Sequence, residues 1–213
     1  KSDAYALLDN VVAANVVSDS LSGSIESGYG VQVMAATGSG SNVTIGNMFV
    51  RKRQFALEIS QQGASTLRNV KVANLQVVDS TYGVLFIGDV RNCRVASANI
   101  DGATSNAVYN DSNCTDRSNG FDDLTVSNCA APVNIAGKID IGALKLKDAT
   151  TGISYGMTTG RAMIGRYIGS NVSSQTNLAL GLSNSWATLG TNDPFAWKLE
   201  NGMVVLSGLI AGG

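Results

Sequence analysis

Six short stretches of the chain share one alternation, in which two apolar positions flank a position that is mostly polar. The stretches follow the form Asn-Val-x-Val-x-Asn, and they begin at Asn10, Asn42, Asn69, Asn92, Asp123 and Ala143. The steps between them are 32, 27, 23, 31 and 20 residues. Because successive side chains of a β-strand point to opposite faces, this alternation predicts six strands that each bury one face. No stretch shows a convincing helical periodicity.

A second short strand follows each of these stretches. The second strands begin at Tyr29, Phe55, Tyr82, Asn106, Ala131 and Thr151, and segments rich in Gly, Asn, Ser and Asp join them to the first strands. Each unit of two strands recurs after 20 to 32 residues, and the same positions are expected to point inward and outward each time. Units of this kind stack as parallel coils. The sequence therefore predicts an all-β parallel β-helix of about six coils over residues 1–160.

In such a stack, equivalent residues lie directly above one another. The expected inward pairs are Val11/Ala13, Val43/Ile45, Val70/Val72, Cys93/Val95, Leu124/Val126 and Leu144/Leu146. One asparagine-rich column is expected to contain Asn10, Asn42, Asn69, Asn92 and Asp123, and another Asn15, Asn47, Asn74, Ser97, Asn128 and Asp148. Stacked amides hydrogen-bond along a column and satisfy backbone groups at corners. The alternative is a set of unrelated surface turns in a β-sandwich.

Composition agrees with this fold and excludes several classes of function. The chain has 213 residues, with 24 glycines, 2 prolines and 44% hydrophobic residues, which is typical of strands and turns around a sizeable core. The net charge of −1 gives no electrostatic basis for binding nucleic acid or an anionic membrane. No apolar run approaches the roughly 18 residues of a membrane span, so we expect no membrane insertion.

The chain contains no histidine and only three cysteines. The lack of histidine removes Ser-His triads, Cys-His pairs and most zinc sites. Cys93, Cys114 and Cys129 form no CxxC pair, and their odd number argues against a disulfide framework. We therefore interpret the cysteines as small buried apolar residues, and we expect no metal and no cofactor.

The pattern changes after residue 160. We predict a connector over residues 161–172 and a small antiparallel β module over residues 173–213. Asn201-Gly202 is a strong signal for a two-residue hairpin in that module. Because the chain opens on Lys1 and closes on a strand-like segment, we expect a fragment of a longer protein, with the module truncated.

The six coils, about Asp9 to Gly156, resemble a right-handed parallel β-helix of the pectate-lyase-like kind. Among such proteins they look most like the tailspikes and appendage proteins of tailed bacteriophages. The handedness comes from this resemblance and from the general preference for right-handed crossovers. The C-terminal segment is also similar to one common near the C-termini of phage fibre and appendage proteins, through Trp186, Pro194-Phe195, Lys198, Asn201-Gly202 and the closing strand that ends in Gly-Gly.

This resemblance implies a homotrimer on the virion, with the C-terminal module as a trimer tip or clamp. It implies attachment to a bacterial surface polysaccharide or a teichoic-acid-like glycan. Two other functions stay open: a free polysaccharide lyase or hydrolase with the same solenoid, and a purely structural segment of a fibre. Whether the protein is an enzyme is left open as well.

Without histidine, the hydrolytic chemistry that remains is a pair of carboxylates that cleaves a glycosidic bond. Glu58 lies between two apolar residues of a predicted strand and should point outward. Asp79 and Asp101 follow the first strands of adjacent coils at similar positions. These three are the candidate catalytic residues, and the alternative is that they are solvated or bonded to backbone groups in turns.

Outward cations and aromatic residues are the candidates for glycan binding. Lys71 and Arg94 are outward residues of neighbouring coils, and Tyr82 and Tyr109 offer stacking surfaces for a sugar. Trp186 is either a glycan platform or a core residue. The two cations serve equally well as a solvated face or as a contact with another subunit.

Overall fold

The structure, a computed structural model, describes residues 10–20, 22–36, 38–116, 118–149, 153–155, 161–170, 187–188, 196–200, 203–207 and 210–211. The chain divides into two compact units, Lys1–Ser173 and Ser174–Gly213. Among the described residues every regular element is a β-strand, and none is a helix long and apolar enough to cross a membrane.

The strands follow one another along the chain with short connections. In chain order they are β1 (Val12–Asp19), β2 (Glu26–Ala35), β3 (Gly40–Arg51), β4 (Arg53–Gln61), β5 (Leu67–Val78), β6 (Tyr82–Ile87), β7 (Val90–Arg91), β8 (Arg94–Asp101), β9 (Asn106–Asn110), β10 (Gly120–Ser127), β11 (Ala131–Ile135), β12 (Lys138–Lys147), β13 (Ile153–Tyr155), β14 (Arg161–Ser170), β15 (Ala187–Thr188), β16 (Ala196–Glu200), β17 (Met203–Ser207) and β18 (Ile210–Ala211).

Two parallel sheets make up the first unit. The first sheet has the order β1-β3-β5-β8-β10-β12-β14, with β7 also paired to β5, and the second has the order β13-β11-β9-β6-β4-β2. Every strand pair in both sheets is parallel. Since the chain alternates between the sheets from coil to coil, the predicted parallel β-helix is confirmed.

The enclosed part of this solenoid has about four turns rather than the six expected. Buried residues occur in both strands of the turns β3–β4, β5–β6, β8–β9 and β10–β11. Strand β1 has no buried residue, and Val11 is 36% exposed. The physical reason is position, because β1 is the first strand of its sheet and has a neighbouring coil on one side only.

The other five predicted inward pairs are confirmed, and each lies in the core. Their ten side chains, from Val43 to Leu146, are at most 4% exposed. Each long strand has two buried segments, which we call its arms. In β5, Val70 and Val72 point inward in the first arm, and Leu75 and Val77 point inward in the second. Between these two arms Ala73-Asn74 places two consecutive residues outside, so the strand bends around the core.

An asparagine column lies at a left-handed corner near the start of these strands, as predicted for its first four members. Side-chain amides link Asn42 to Asn10 at 3.3 Å, Asn69 to Asn42 at 3.0 Å and Asn92 to Asn69 at 2.7 Å. All four residues have φ between 52° and 58°. Asparagine tolerates this left-handed backbone better than other residues with a Cβ, so each one serves both the corner and the column.

A second amide column lies outside the bend within the long strands. The Asn47 amide donates to Asn15 and the Asn74 amide donates to Asn47, each at 2.9 Å. Ser97 and then Asp123 continue this column by register. Asn128 and Asp148, which the sequence analysis assigned here, instead follow β10 and β12 at a left-handed corner, with φ of 54° and 51°.

This difference comes from one error of register. The predicted step of 31 residues between the fourth and fifth repeats is 26 in the structure, because Val95 pairs with Phe121 and Ala98 with Leu124. Leu124 and Val126 therefore belong to the second arm of their strand. Both arms have the same apolar-x-apolar pattern, and the sequence pattern alone does not distinguish them.

The segment expected to be a connector, residues 161–172, contains β14, which pairs in parallel with β12 and extends the first sheet by one strand. In the second unit, β15 pairs with β18 and β16 with β17, and both pairs are antiparallel. The strands on the two sides of Asn201-Gly202 thus pair with each other. The right-handed sense, the trimer and the C-terminal clamp stay predictions.

The three cysteines are free and buried, as expected. Burial raises the pKa of Cys93 and of Cys114 to about 12 and that of Cys129 to about 11. At neutral pH they are therefore thiols inside the core, and they behave as small apolar residues.

We expect Asn69→Ala to lower the free energy of unfolding by about 1–3 kcal/mol, because it places a non-glycine, non-asparagine residue at positive φ and removes two amide bonds. Asn69→Gly should recover the part that is due to the backbone. Asn74→Ala removes an exposed amide hydrogen bond at a position that is not a left-handed corner. It should therefore lower the free energy of unfolding by less than Asn69→Ala does. Urea denaturation of the three variants measures this order, and an Asn74→Ala variant less stable than Asn69→Ala would contradict it.

Candidate functional site

The strands of the second sheet bend in the opposite sense to those of the first. In β4, the consecutive residues Ala56 and Leu57 are both fully buried in the core. The same pair of buried positions recurs in β6, β9 and β11. A Cβ added at Gly83, which precedes Val84 in β6, would lie 2.9 Å from the core side chain of Ile100, so this position also faces inward.

Two consecutive inward residues leave their flanking residues outside, on the two sides of a concave bend. Phe55 and Glu58 are the flanking residues in β4. The register extends both positions along the solenoid, and we name the resulting surface the outer groove. One wall is formed by Tyr29, Phe55 and Tyr82, and the other by Gln32, Glu58, Leu85 and Tyr109.

The first wall is a stack of three aromatic rings. The ring centroids of Tyr29 and Phe55 are 5.1 Å apart at an interplanar angle of 25°, and those of Phe55 and Tyr82 are 5.2 Å apart at 15°. The spacing follows from the separation of neighbouring strands in a parallel sheet. The next coil has Asn106 at this position, so the stack ends at Tyr82. Tyr29 is 43% exposed at the other end.

The second wall contains a buried carboxylate. Glu58 is only 6% exposed, and its Oε1 accepts a hydrogen bond of 2.9 Å from Nε2 of Gln32. Leu85 is its neighbour on the other side. Burial raises the pKa of the Tyr29 hydroxyl, and the neighbouring Glu58 carboxylate raises this pKa further. The aromatic wall and the carboxylate therefore interact across the bend.

Two groups in this groove lack the partners that buried polar groups normally have. Among the residues that the structure describes, no ion pair joins Glu58 to a cation. Ser60 follows Glu58 by two residues and shares its side of the strand, where it is 2% exposed. Its Oγ has no hydrogen-bond partner in the described part of the chain. Buried polar groups of this kind are uncommon and call for an explanation.

The structure brings Glu58, Tyr82 and Tyr109 together in the outer groove. Burial raises the pKa of Tyr109, and the charge of Asp111 raises it further. Sequence reasoning missed Tyr29, Phe55, Gln32 and Ser60 as site residues. A signal was present, since three successive second strands begin with an aromatic residue.

The other two candidate carboxylates lie at a different place. Asp79 has φ of 52° at the corner between β5 and β6, and its amide donates to the carbonyl oxygen of Asp101 at 2.9 Å, so the two residues are on adjacent coils as predicted. Asp101 Oδ1 accepts hydrogen bonds from Ser127 and Asn128 at 2.7 Å and 2.6 Å. Glu58 lies on β4, in the coil next to that of Asp79, and it is six residues further along its coil than the position equivalent to Asp79. It therefore does not lie next to either aspartate.

The candidate cations lie on the first sheet. Lys71 and Arg94 are register neighbours as predicted, and Lys71 is exposed. Arg94 donates to Asp122 at 2.6 Å and to Asp140 at 3.0 Å, so carboxylates already compensate its charge. Trp186 lies outside the described residues.

A shallow depression on the first sheet is a weaker candidate. It has a volume of about 480 Å³ and follows the column of Asn15, Asn47 and Asn74. Its lining includes no charged side chain. Amides can orient a ligand there, but the lining supplies no general acid or base.

Fold and groove together define a parallel β-solenoid whose outer surface, in the part of the chain that the structure describes, has a concave, aromatic-lined bend. Comparison with known proteins found no matching family model, no matching curated protein and no matching solved structure.

The interaction between Tyr29 and Glu58 predicts how the tyrosine titrates. The pKa of Tyr29 is raised above the ordinary value of 10.0, so its neutral form is favoured in the folded state, and this contribution to stability is lost as the pH rises through that raised pKa. We expect Glu58→Gln to lower the pKa of Tyr29 part of the way toward its ordinary value, because the effect of burial remains. NMR of ¹³C-labelled tyrosine, assigned with Tyr29→Phe, measures it, and an unchanged pKa in Glu58→Gln would exclude the interaction.

Proposed function

We propose that this protein binds a bacterial surface glycan in the outer groove, as part of a tailspike or appendage that attaches a tailed bacteriophage to its host. The observation that carries the proposal is the Glu58–Gln32 pair beside the stack of Tyr29, Phe55 and Tyr82. The location on a virion and the homotrimer are inferred from the resemblance of the sequence to phage tailspikes and appendage proteins.

The groove has the two kinds of group that a sugar requires. A sugar presents apolar C–H surface together with many hydroxyl groups, and ligand sites combine apolar walls with a few placed polar groups. Aromatic edges and the exposed end of the stack at Tyr29 supply apolar surface. Glu58 accepts hydrogen bonds, and Gln32 both donates and accepts them.

The parallel solenoid supports attachment for a mechanical reason. Each strand of the second sheet is hydrogen-bonded to its neighbours on adjacent coils, so the walls of the groove are held by strands rather than by loops. Sites on regular elements keep their geometry better than sites on loops. The groove runs along the stack of coils, which suits a chain-like ligand with a repeating unit.

The proposal is attachment rather than cleavage. Glycoside hydrolysis needs two carboxyl groups about 5–10 Å apart. Neither register neighbour of Glu58 is a carboxylate, since these are Gln32 and Leu85. The pair formed by Asp79 and Asp101 lies at another corner, where hydrogen bonds from Ser127 and Asn128 give Asp101 a structural role.

The test is binding of the purified chain to an array of bacterial surface polysaccharides, with affinities then measured by calorimetry. We expect Phe55→Ala and Tyr82→Ala to weaken binding at least tenfold, about 1.4 kcal/mol each, because they remove ring surface from one wall. Lys71→Ala on the first sheet is the control and should bind normally. Phe55→Leu checks that a loss is not due to misfolding.

Two results would contradict this proposal: no glycan on the array binds, or binding depends on Lys71 and not on the rings. The homotrimer has its own measurement. Solution mass should be three times the chain mass of 22.0 kDa, about 66 kDa. A monomer that binds glycan would favour the free glycan-binding enzyme or module over the appendage.

A further inference from the structure

The outer groove contains an acidic group in a setting that does not match a neutral ligand. Glu58 is 6% exposed, and its neighbours on the wall are the uncharged residues Gln32 and Leu85. Its described hydrogen-bond partner, Gln32, is neutral. A buried carboxylate without a cation is costly, and proteins keep such groups paired or use them for binding.

The carboxylate also has room for further donors. A carboxylate offers about four acceptor positions, and the described hydrogen bond from Gln32 fills one of them. On the same side of β4, the Oγ of Ser60 is buried without a partner in the part of the chain that the structure describes. An ammonium group has three N–H donors and a full positive charge, so it can fill a free acceptor position of Glu58 and compensate its charge.

We propose that the outer groove is selective for a glycan that carries free amino groups, with one sugar ammonium group bound by the carboxylate of Glu58. This inference rests on the proposed function, because it names the chemistry of the glycan that the same groove binds. The sugar ring lies against the partly exposed Tyr82, one coil away from Glu58.

Charge decides between this ligand and the other glycan classes. A hydroxyl group can donate to Glu58, but it leaves the negative charge uncompensated, whereas an ammonium forms a charge-assisted hydrogen bond of about twice the strength. An acidic sugar would place a second anion beside Glu58, and like charges at close range repel. The π-systems of Tyr29 and Tyr82, at the two ends of the ring stack, further favour a cation.

The experiment compares three hexasaccharides on the full chain: glucosamine hexamer, its N-acetylated counterpart and galacturonate hexamer. At a pH where the amine is protonated, we expect the glucosamine hexamer to bind at least tenfold more tightly than the N-acetylated one, and the galacturonate hexamer to bind most weakly. Glu58→Gln should abolish the preference and leave weak binding to both amino sugars. Asp79→Asn is the matched control, since it removes a carboxylate outside the groove at a left-handed corner that asparagine tolerates.

The outcomes separate this inference from the proposed function. Equal or tighter binding of the N-acetylated hexamer, or a preference that persists in Glu58→Gln, overturns the selectivity and leaves glycan binding intact. So does a protein that binds none of the three hexamers but captures an amine-free polysaccharide from the array. A protein that binds no glycan at all overturns the proposed function as well.

Discussion

Parallel hydrogen bonding between successive coils is the constraint on which the rest of this structure depends. Once Val72 pairs with Val95 and Leu57 with Val84, every equivalent side chain along a column is fixed at the spacing of neighbouring strands. Amide columns, the aromatic stack and the two-armed core all follow from that spacing. A slip of one residue would turn each strand's apolar side outward, so the buried arms keep the register fixed.

The direction of each bend decides which part of the surface becomes a site. Two consecutive outward residues, such as Ala73-Asn74, bend a strand around the core and give a convex corner. Two consecutive inward residues, such as Ala56-Leu57, give a concave corner, and the residues on either side converge. Phe55 and Glu58 approach each other for this reason, although the sequence around them has no motif.

Much of the fold follows from the sequence, and less of the site does. The alternation around Val70 and Val72, and the aligned starts at Tyr29, Phe55 and Tyr82, are enough to predict parallel coils and the register of the second sheet. The register between β8 and β10 is not predictable in this way, because Leu124-Thr125-Val126 fits either arm of a strand. The groove is missed for a related reason, since strict alternation places Ala56 outside and separates Phe55 from Glu58.

Stability and binding make opposite demands on Glu58. An apolar residue at this position would continue the wall begun by Leu85 and would avoid the desolvation of a carboxylate. The solenoid tolerates the carboxylate because the coils on both sides are fixed by backbone bonds that do not depend on it. Asn42 and Asn69 differ in this respect, since their amides bond to each other and close the column without a ligand. A polar residue that completes its bonds within the column serves the fold, and one that leaves them incomplete inside a concave bend is where a ligand is expected.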